Sequence, residues 1–121
     1  MNKETEITVR HLDAIAIIDI AGNLDISCAY RLKDVVTRVA GGTHEGVIIN
    51  MGAVPYLDSS GIGVLVYANS LYRSNGTRLC IAGVTGSPRQ VLELTKLTGF
   101  LPLSEDETSA IRDLRTQSPA R

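Results

Sequence analysis

The chain has almost no excess of charge. Its 121 residues carry 12 Lys plus Arg against 13 Asp plus Glu, a formal net charge of -1. Domains built to neutralise nucleic-acid phosphates are clearly basic, so nucleic acid is not an expected partner. Cysteine is scarce as well. Cys28 and Cys80 lie far apart, with no His or Cys beside either at metal-ligand spacing, which leaves no expected metal site and favours reduced thiols over a disulfide. There is no apolar run near the ~20 residues of a bilayer span, so no membrane insertion is expected. The opening residues Met1 to Glu6 are polar and unlike a signal peptide, which points to a cytoplasmic protein. What remains is a composition 44% apolar and 21% charged, that of one soluble globular domain.

Periodicity organises the chain as ββαβαβαβα. Residues 6–11 alternate polar and apolar, as an edge strand does, and residues 14–20 form a stronger strand after a turn at Leu12-Asp13. Ala29, Leu32, Val36 and Val39 mark one face of a helix over about 27–40, with Asp25 or Ser27 as its cap and Gly41-Gly42 as its stop. Val47-Ile48-Ile49 and Leu79 to Ala82 read as interior parallel strands. Between them, Ile62, Leu65, Ala68, Asn69 and Tyr72 mark a second helix, closed by Ser74-Asn75-Gly76. Ser87-Pro88-Arg89-Gln90 reads as an N-cap, a first-turn proline and a capping-box glutamine, opening a helix that buries Val91, Leu92 and Leu94 or Thr95 and closes at Gly99. Leu101 to Leu103 is a short strand. Ser104 with Glu107 forms a second capping box, for a helix with Ala110, Ile111 and Leu114 inward. The expected architecture is a small α/β domain over 1–115, with a mixed, mostly parallel sheet, flanking helices and an antiparallel first strand. Residues 116–121 read as a flexible tail.

Chemistry concentrates in Tyr56-Leu57-Asp58-Ser59-Ser60-Gly61-Ile62-Gly63, just past the carboxyl end of an interior strand, where parallel α/β sheets meet ligands and partners. Asp58 is placed to cap the helix. The first turn at Ser59, Ser60 and Gly61 then has backbone N–H groups that favour an anion. Gly61 and Gly63 remove side chains where a backbone or a bulky partner approaches. The plainer alternative is a polar cap with small residues for packing. Catalytic readings fit poorly. No G-x-S-x-G elbow is present, since Leu57 stands where Ser59 needs a glycine and Ser60 lacks both. His11 and His44 fall on an edge strand and a helix–strand loop, aimed at neither serine. Val66 occupies the third glycine position of a dinucleotide fingerprint, and no P-loop exists. No cofactor is expected, and the chain does not read as an enzyme. The loop Ala21-Gly22-Asn23-Leu24-Asp25 should lie at the same end of the sheet, bringing Asp25 near Asp58 and Ser59, unless it too is only a turn and cap.

At these residues the sequence resembles the STAS domain family, and within it the anti-sigma-factor antagonists. Gly22-Asn23-Leu24-Asp25 is similar to the family's G-x-L-D turn, with Asn23 where an acidic residue is common. Val47 to Asn50 followed by Tyr56 to Leu65 is similar to its strand–loop–helix signature, and the later elements match in order. The resemblance implies partner switching. The unphosphorylated protein would bind an anti-sigma factor that is also a serine kinase and so free a sigma factor. Phosphorylation of Ser59 would break that complex, and a metal-dependent serine phosphatase would restore it. The implied partner-binding residues are Asp25, Asp58, Ser60, Gly61, Ile62 and Gly63. With no obvious exposed apolar stripe in the sequence, a monomer is the default expectation for the free protein. Two other readings use the same surface: an accessory subunit gripping a transporter ATPase, and a small nucleotide- or anion-binding module.

Overall fold

A strand buried on both faces must be apolar along its whole length, and the centre of this sheet is made of such strands. The computed structural model describes residues 4–116. β2 (Ile15–Ala21), β3 (Gly46–Ala53) and β4 (Arg78–Ala82) are almost wholly buried, while β1 (Glu6–Leu12) is mostly exposed. β5 (Leu103–Ser104) completes a five-stranded sheet of order β1-β2-β3-β4-β5. β1 pairs antiparallel with β2, and every other pairing is parallel. This is the mixed, mostly parallel α/β fold that the alternation of periods implies. Asp13, at φ 55, turns the β1–β2 hairpin, one residue later than the expected Leu12-Asp13 turn.

The two faces of the sheet are covered unequally. α1 (Ala29–Ala40) and α2 (Ser59–Ser74) cover one face, where Leu32, Val36, Leu65, Ala68 and Tyr72 meet Ile18, Ile20, Ile49 and Ile81. Leu92 of α3 (Gly86–Leu94) joins the same core. Tyr72 is fully buried and its hydroxyl donates to the Val36 carbonyl at 2.8 Å, with burial holding its acidity far below the usual phenol. Among the described residues α4 (Glu107–Thr116) alone covers the opposite face, with Ala110, Ile111 and Leu114 over Ile15, Ile17, Ile48 and Cys80. Arg10 clamps its start. The guanidinium bonds Asp19 and Glu107, Asn50 Nδ2 donates to both carboxylates, and Asp19 is held below the usual carboxylate range chiefly by Arg10.

Several caps differ from the sequence expectation. α1 is preceded by a turn in which the Asp25 carbonyl accepts from Cys28 and Ala29 N–H, so Cys28 takes the N-cap position, its thiol bonding back to the Asn23 carbonyl and not to a helix N–H. α3 starts one residue before Ser87 and is capped by Thr85, which places Pro88 third and dissolves the capping box with Gln90. Proline is equally tolerated there because first-turn N–H groups have no helical partner. The helix ends at Leu94, not at Gly99. Leu94 is 83% exposed and Thr95 is also exposed, because a left-handed Lys96 (φ 61) turns the chain so that Leu97 and Leu101 pack inward instead. Ser104 lies in β5, and Asp106 Oδ1 takes the Ser109 N–H at 2.8 Å in place of the box expected from Ser104 and Glu107. Leu101 is buried outside the strand that was expected to begin with it. Thr116 ends α4, and the rest of the expected tail lies outside the described residues.

Cys28 and Cys80 are both free and buried. Burial raises the Cys80 thiol above its ordinary pKa, so it stays protonated and unreactive at neutral pH.

His11 and His44 stack with ring centroids 5.4 Å apart, at the end of the sheet away from the carboxyl ends of the parallel strands. His44 is half-buried, and desolvation, then the charge of His11, lowers its pKa below 6.5. The unfolded chain therefore takes up this proton first. The stability tied to neutral His44 is complete above pH ~6.5 and is lost as the pH falls through that value and then through the lower folded one. Urea midpoints measured between pH 7.5 and 5 should drop for the wild type, and His44→Gln should flatten that slope.

Candidate functional site

The site forms where two loops zip together beyond the ends of β2 and β3. Gly22 N–H donates to the Ala53 carbonyl at 3.0 Å, Leu24 N–H to Tyr56 at 2.9 Å, and Asp58 N–H to Leu24 at 3.2 Å. Leu24 and Leu57 make an isolated parallel bridge and are both fully buried. Gly22 is required at the start of this zipper. Its φ is +127, and a Cβ there would stand 2.8 Å from Thr5 Oγ1 and 3.0 Å from Thr5 Cα.

Asp58 joins the two loops through one carboxylate. Oδ1 accepts from Ser60 N–H at 2.9 Å and Gly61 N–H at 3.1 Å, capping α2 as its sequence position implies. Oδ2 reaches across and accepts from Ile26 N–H at 3.2 Å. The loop carrying Asp25 is therefore fastened beside the first turn of α2. Asp25 itself closes a local turn, accepting from the Ser27 hydroxyl at 2.6 Å and the Ser27 N–H at 3.0 Å. The Ser27 hydroxyl, then its N–H, holds the Asp25 carboxyl below the ordinary range, so it is charged at neutral pH.

Ser59 is the first residue of α2 and is exposed, while Ser60 beside it is half-buried. The cap takes the N–H groups of Ser60 and Gly61 and leaves that of Ser59 outside it. An oxyanion carried on Ser59 would sit at the positive end of a 16-residue helix. The two glycines divide. A Cβ on buried Gly61 would lie 2.7 Å from both Leu24 O and Leu57 Cδ1, so Gly61 is what lets the β2–α1 loop lie against α2. Gly63 is exposed with nothing within 4 Å of where its Cβ would be, and Ile62 between them is half-buried. The stacked histidines are at the other end of the sheet, and no imidazole reaches either serine. Among the described residues, no three His, Cys, Asp or Glu groups converge on a metal position.

Two residues of this surface escaped the sequence reading, Ile26 and Tyr30, at 77% and 69% exposure, and they stand with Tyr56 of the expected segment, at 48%. Ile26 follows Asp25 directly, Tyr30 lies one helical turn further on, and Tyr56 is zipped to Leu24. The available signal was an isoleucine inside the polar turn Asp25-Ile26-Ser27, where no core strand or helix face could bury it. A chain read as lacking an exposed apolar stripe thus presents large apolar side chains around an acidic rim, the composition of a protein contact surface.

The family model for the STAS domain matches residues 6–110. An anti-sigma-B factor antagonist of Staphylococcus aureus is 27% identical over 105 residues, covering 87% of this chain and 95% of that protein. Among solved structures, an anti-sigma factor antagonist from Mycobacterium paratuberculosis superposes with a TM-score of 0.82 at 21% identity, covering 93% of this chain and 95% of that one. The anti-sigma factor antagonist SpoIIAA in its unphosphorylated form gives 0.77 at 18% identity, over 93% of this chain and 99% of its own. Its Bacillus phosphorylated form gives 0.69 at 16%, over 89% and 99%. Among the described residues no helix is long and apolar enough to cross a membrane.

Proposed function

This chain belongs to the STAS domain family, and from that premise we propose that it is an anti-sigma factor antagonist switched by phosphorylation of Ser59. The observation that carries the reading is the exposed Ser59 at the start of α2, beside a carboxylate that fastens the Asp25 loop to it. The curated relative named an anti-sigma-B factor antagonist supports the role, and the neighbour known in unphosphorylated and phosphorylated forms supports the modification.

In the unphosphorylated state the partner, an anti-sigma factor with serine kinase activity, covers Asp25, Asp58, Ser60, Ile62 and Gly63 together with Ile26, Tyr30 and Tyr56. Gly61 contributes from beneath by holding the two loops together. Bound this way the partner releases its sigma factor, and the chain acts as a regulator without chemistry of its own. The kinase transfers the γ-phosphoryl group of ATP to Ser59 Oγ. The new O–P bond forms as the bond to the β-phosphate oxygen breaks, ADP leaves, and the hydroxyl proton passes to the kinase. A metal-dependent serine phosphatase returns the hydroxyl by hydrolysis, releasing inorganic phosphate.

The physics of the switch follows from the site. A phosphoserine carries about −1.5 to −2 charges at pH 7. The helix N-terminus accommodates that charge in the free protein. A docked partner must desolvate it beside Asp58 and Asp25, and losing ~3 kcal/mol weakens a complex more than a hundredfold. Incubation with the host's anti-sigma kinase and ATP, followed by peptide mapping, should place one phosphate on Ser59 and none on half-buried Ser60. Phosphate on Ser60 would overturn the assignment.

A further inference from the structure

The far end of α2 carries an opening that the Ser59 surface does not use. A groove of about 370 Å³ lies where α2 hands the chain to β4, lined by Asn69, Arg73, Thr77, Arg78, Leu79 and Pro102. Ser59 and Asn69 are ten positions apart on one helix, about 15 Å along its axis, so this groove and the partner surface are separate places.

Asn69 is the unusual member. It is only 6% exposed, and its side-chain amide has no hydrogen bond within the described protein. None of its polar atoms is sealed from solvent either, so the amide opens onto the groove. A buried amide is retained where something supplies its hydrogen bonds, and here only water or a ligand in the groove does. Arg73, one turn further along α2, has an exposed guanidinium that makes no ion pair among the described residues. Arg78 also lines the groove, but its guanidinium turns to α4 on the other face of the sheet, donating to the Leu114 and Asp113 carbonyls at 3.0 and 3.2 Å.

Among the described residues no carboxylate lines the groove, and Arg73 supplies its positive charge. The Tyr72 and Arg73 carbonyls near the end of α2 are occupied. Gly76 N–H donates to the Arg73 carbonyl at 3.1 Å and Thr77 N–H to Tyr72 at 2.9 Å, a closed C-terminal motif around Gly76 at φ 74. Leu79 and Pro102 add an apolar wall. We propose that this groove binds a small anionic metabolite bearing a carboxylate or phosphate, with Asn69 supplying the directed hydrogen bond, Arg73 the charge, and Leu79 with Pro102 the contact for its apolar part. The two head groups share this chemistry. The proposal stands independently of the Ser59 switch.

Titration of the ¹⁵N-labelled full chain decides it, with sodium phosphate in one arm, sodium acetate in another and sodium chloride at matched ionic strength as reference. Saturable shifts of the Asn69 side-chain NH₂ and of the Gly76, Thr77 and Arg78 amides are expected in the phosphate or the acetate arm, and the responding arm identifies the head group. Arg73→Gln, at an exposed position, should weaken that response about tenfold, and Asn69→Leu should abolish it. If Asn69→Leu does not fold, Arg73→Gln still decides. Equal shifts in chloride, shifts centred on Ser60 and Gly61, or a response unchanged in Arg73→Gln would each overturn the proposal.

Discussion

Ser59→Asp is expected to unfold at the wild-type temperature and yet to lose its anti-sigma factor partner by more than about a hundredfold. Both halves follow from where Ser59 stands. Its side chain is exposed and lies outside the cap, so a negative group there displaces neither the Ser60 nor the Gly61 bond to Asp58. The helix dipole favours a negative charge at this end by a few tenths of a kcal/mol to about 1. The fold therefore gains slightly or stays level, and the cost falls on the interface, where Asp58 and Asp25 already make the rim acidic. Ser59→Ala should bind the partner and stay bound when ATP is added. Calorimetry of the free proteins together with titration of the kinase checks both. A Ser59→Asp protein with no thermal transition would show the charge acting on the fold, and the mechanism would fail.

The second large effect separates two glycines that look equivalent in the motif. Gly61→Ala should lower stability by about 2 kcal/mol, and Gly63→Ala should raise it by about 0.5–1 kcal/mol. Alanine improves an exposed helical position by limiting the freedom of the unfolded chain, and Gly63 has open space to receive a methyl group. At Gly61 the same methyl would meet a main-chain oxygen and a leucine methyl at 2.7 Å. Leu24 O cannot retreat freely, because it accepts the Asp58 N–H that holds the loops together. Urea midpoints of the two variants should move in opposite directions. A Gly61→Ala midpoint at or above wild type would disprove the packing role, and the variant should also bind its partner less well, because the Asp25 loop is displaced.

Much of this molecule is legible along the chain. The buried faces Ala29-Leu32-Val36-Val39 and Leu65-Ala68-Tyr72 follow from a period of 3.6, and the interior strands Val47–Ile49 and Leu79–Ala82 from unbroken apolar runs. The Asp58 cap is equally local, since its carboxylate reaches N–H groups two and three residues on. The third helix was less legible. Thr85 and Ser87 are both acceptable cap residues two positions apart, and only the docking of Leu92 and Pro88 against the core chooses between them. Its end escaped for a related reason, since nothing within the run Leu94 to Gly99 reveals that Lys96 takes the left-handed conformation instead of glycine. The α4 clamp was invisible in the sequence, because Arg10 and Glu107 lie 97 positions apart.

The functional surface divides along the same line. Its acidic and hydroxyl groups were determined by the sequence alone, because capping chemistry is settled within one helical turn. That Ile26, Tyr30 and Tyr56 stand exposed around them, and that one oxygen of Asp58 holds a loop 32 positions away, was decided only by the tertiary structure. Exposure and long-range hydrogen bonds depend on which elements the sheet brings side by side, and no local pattern encodes that.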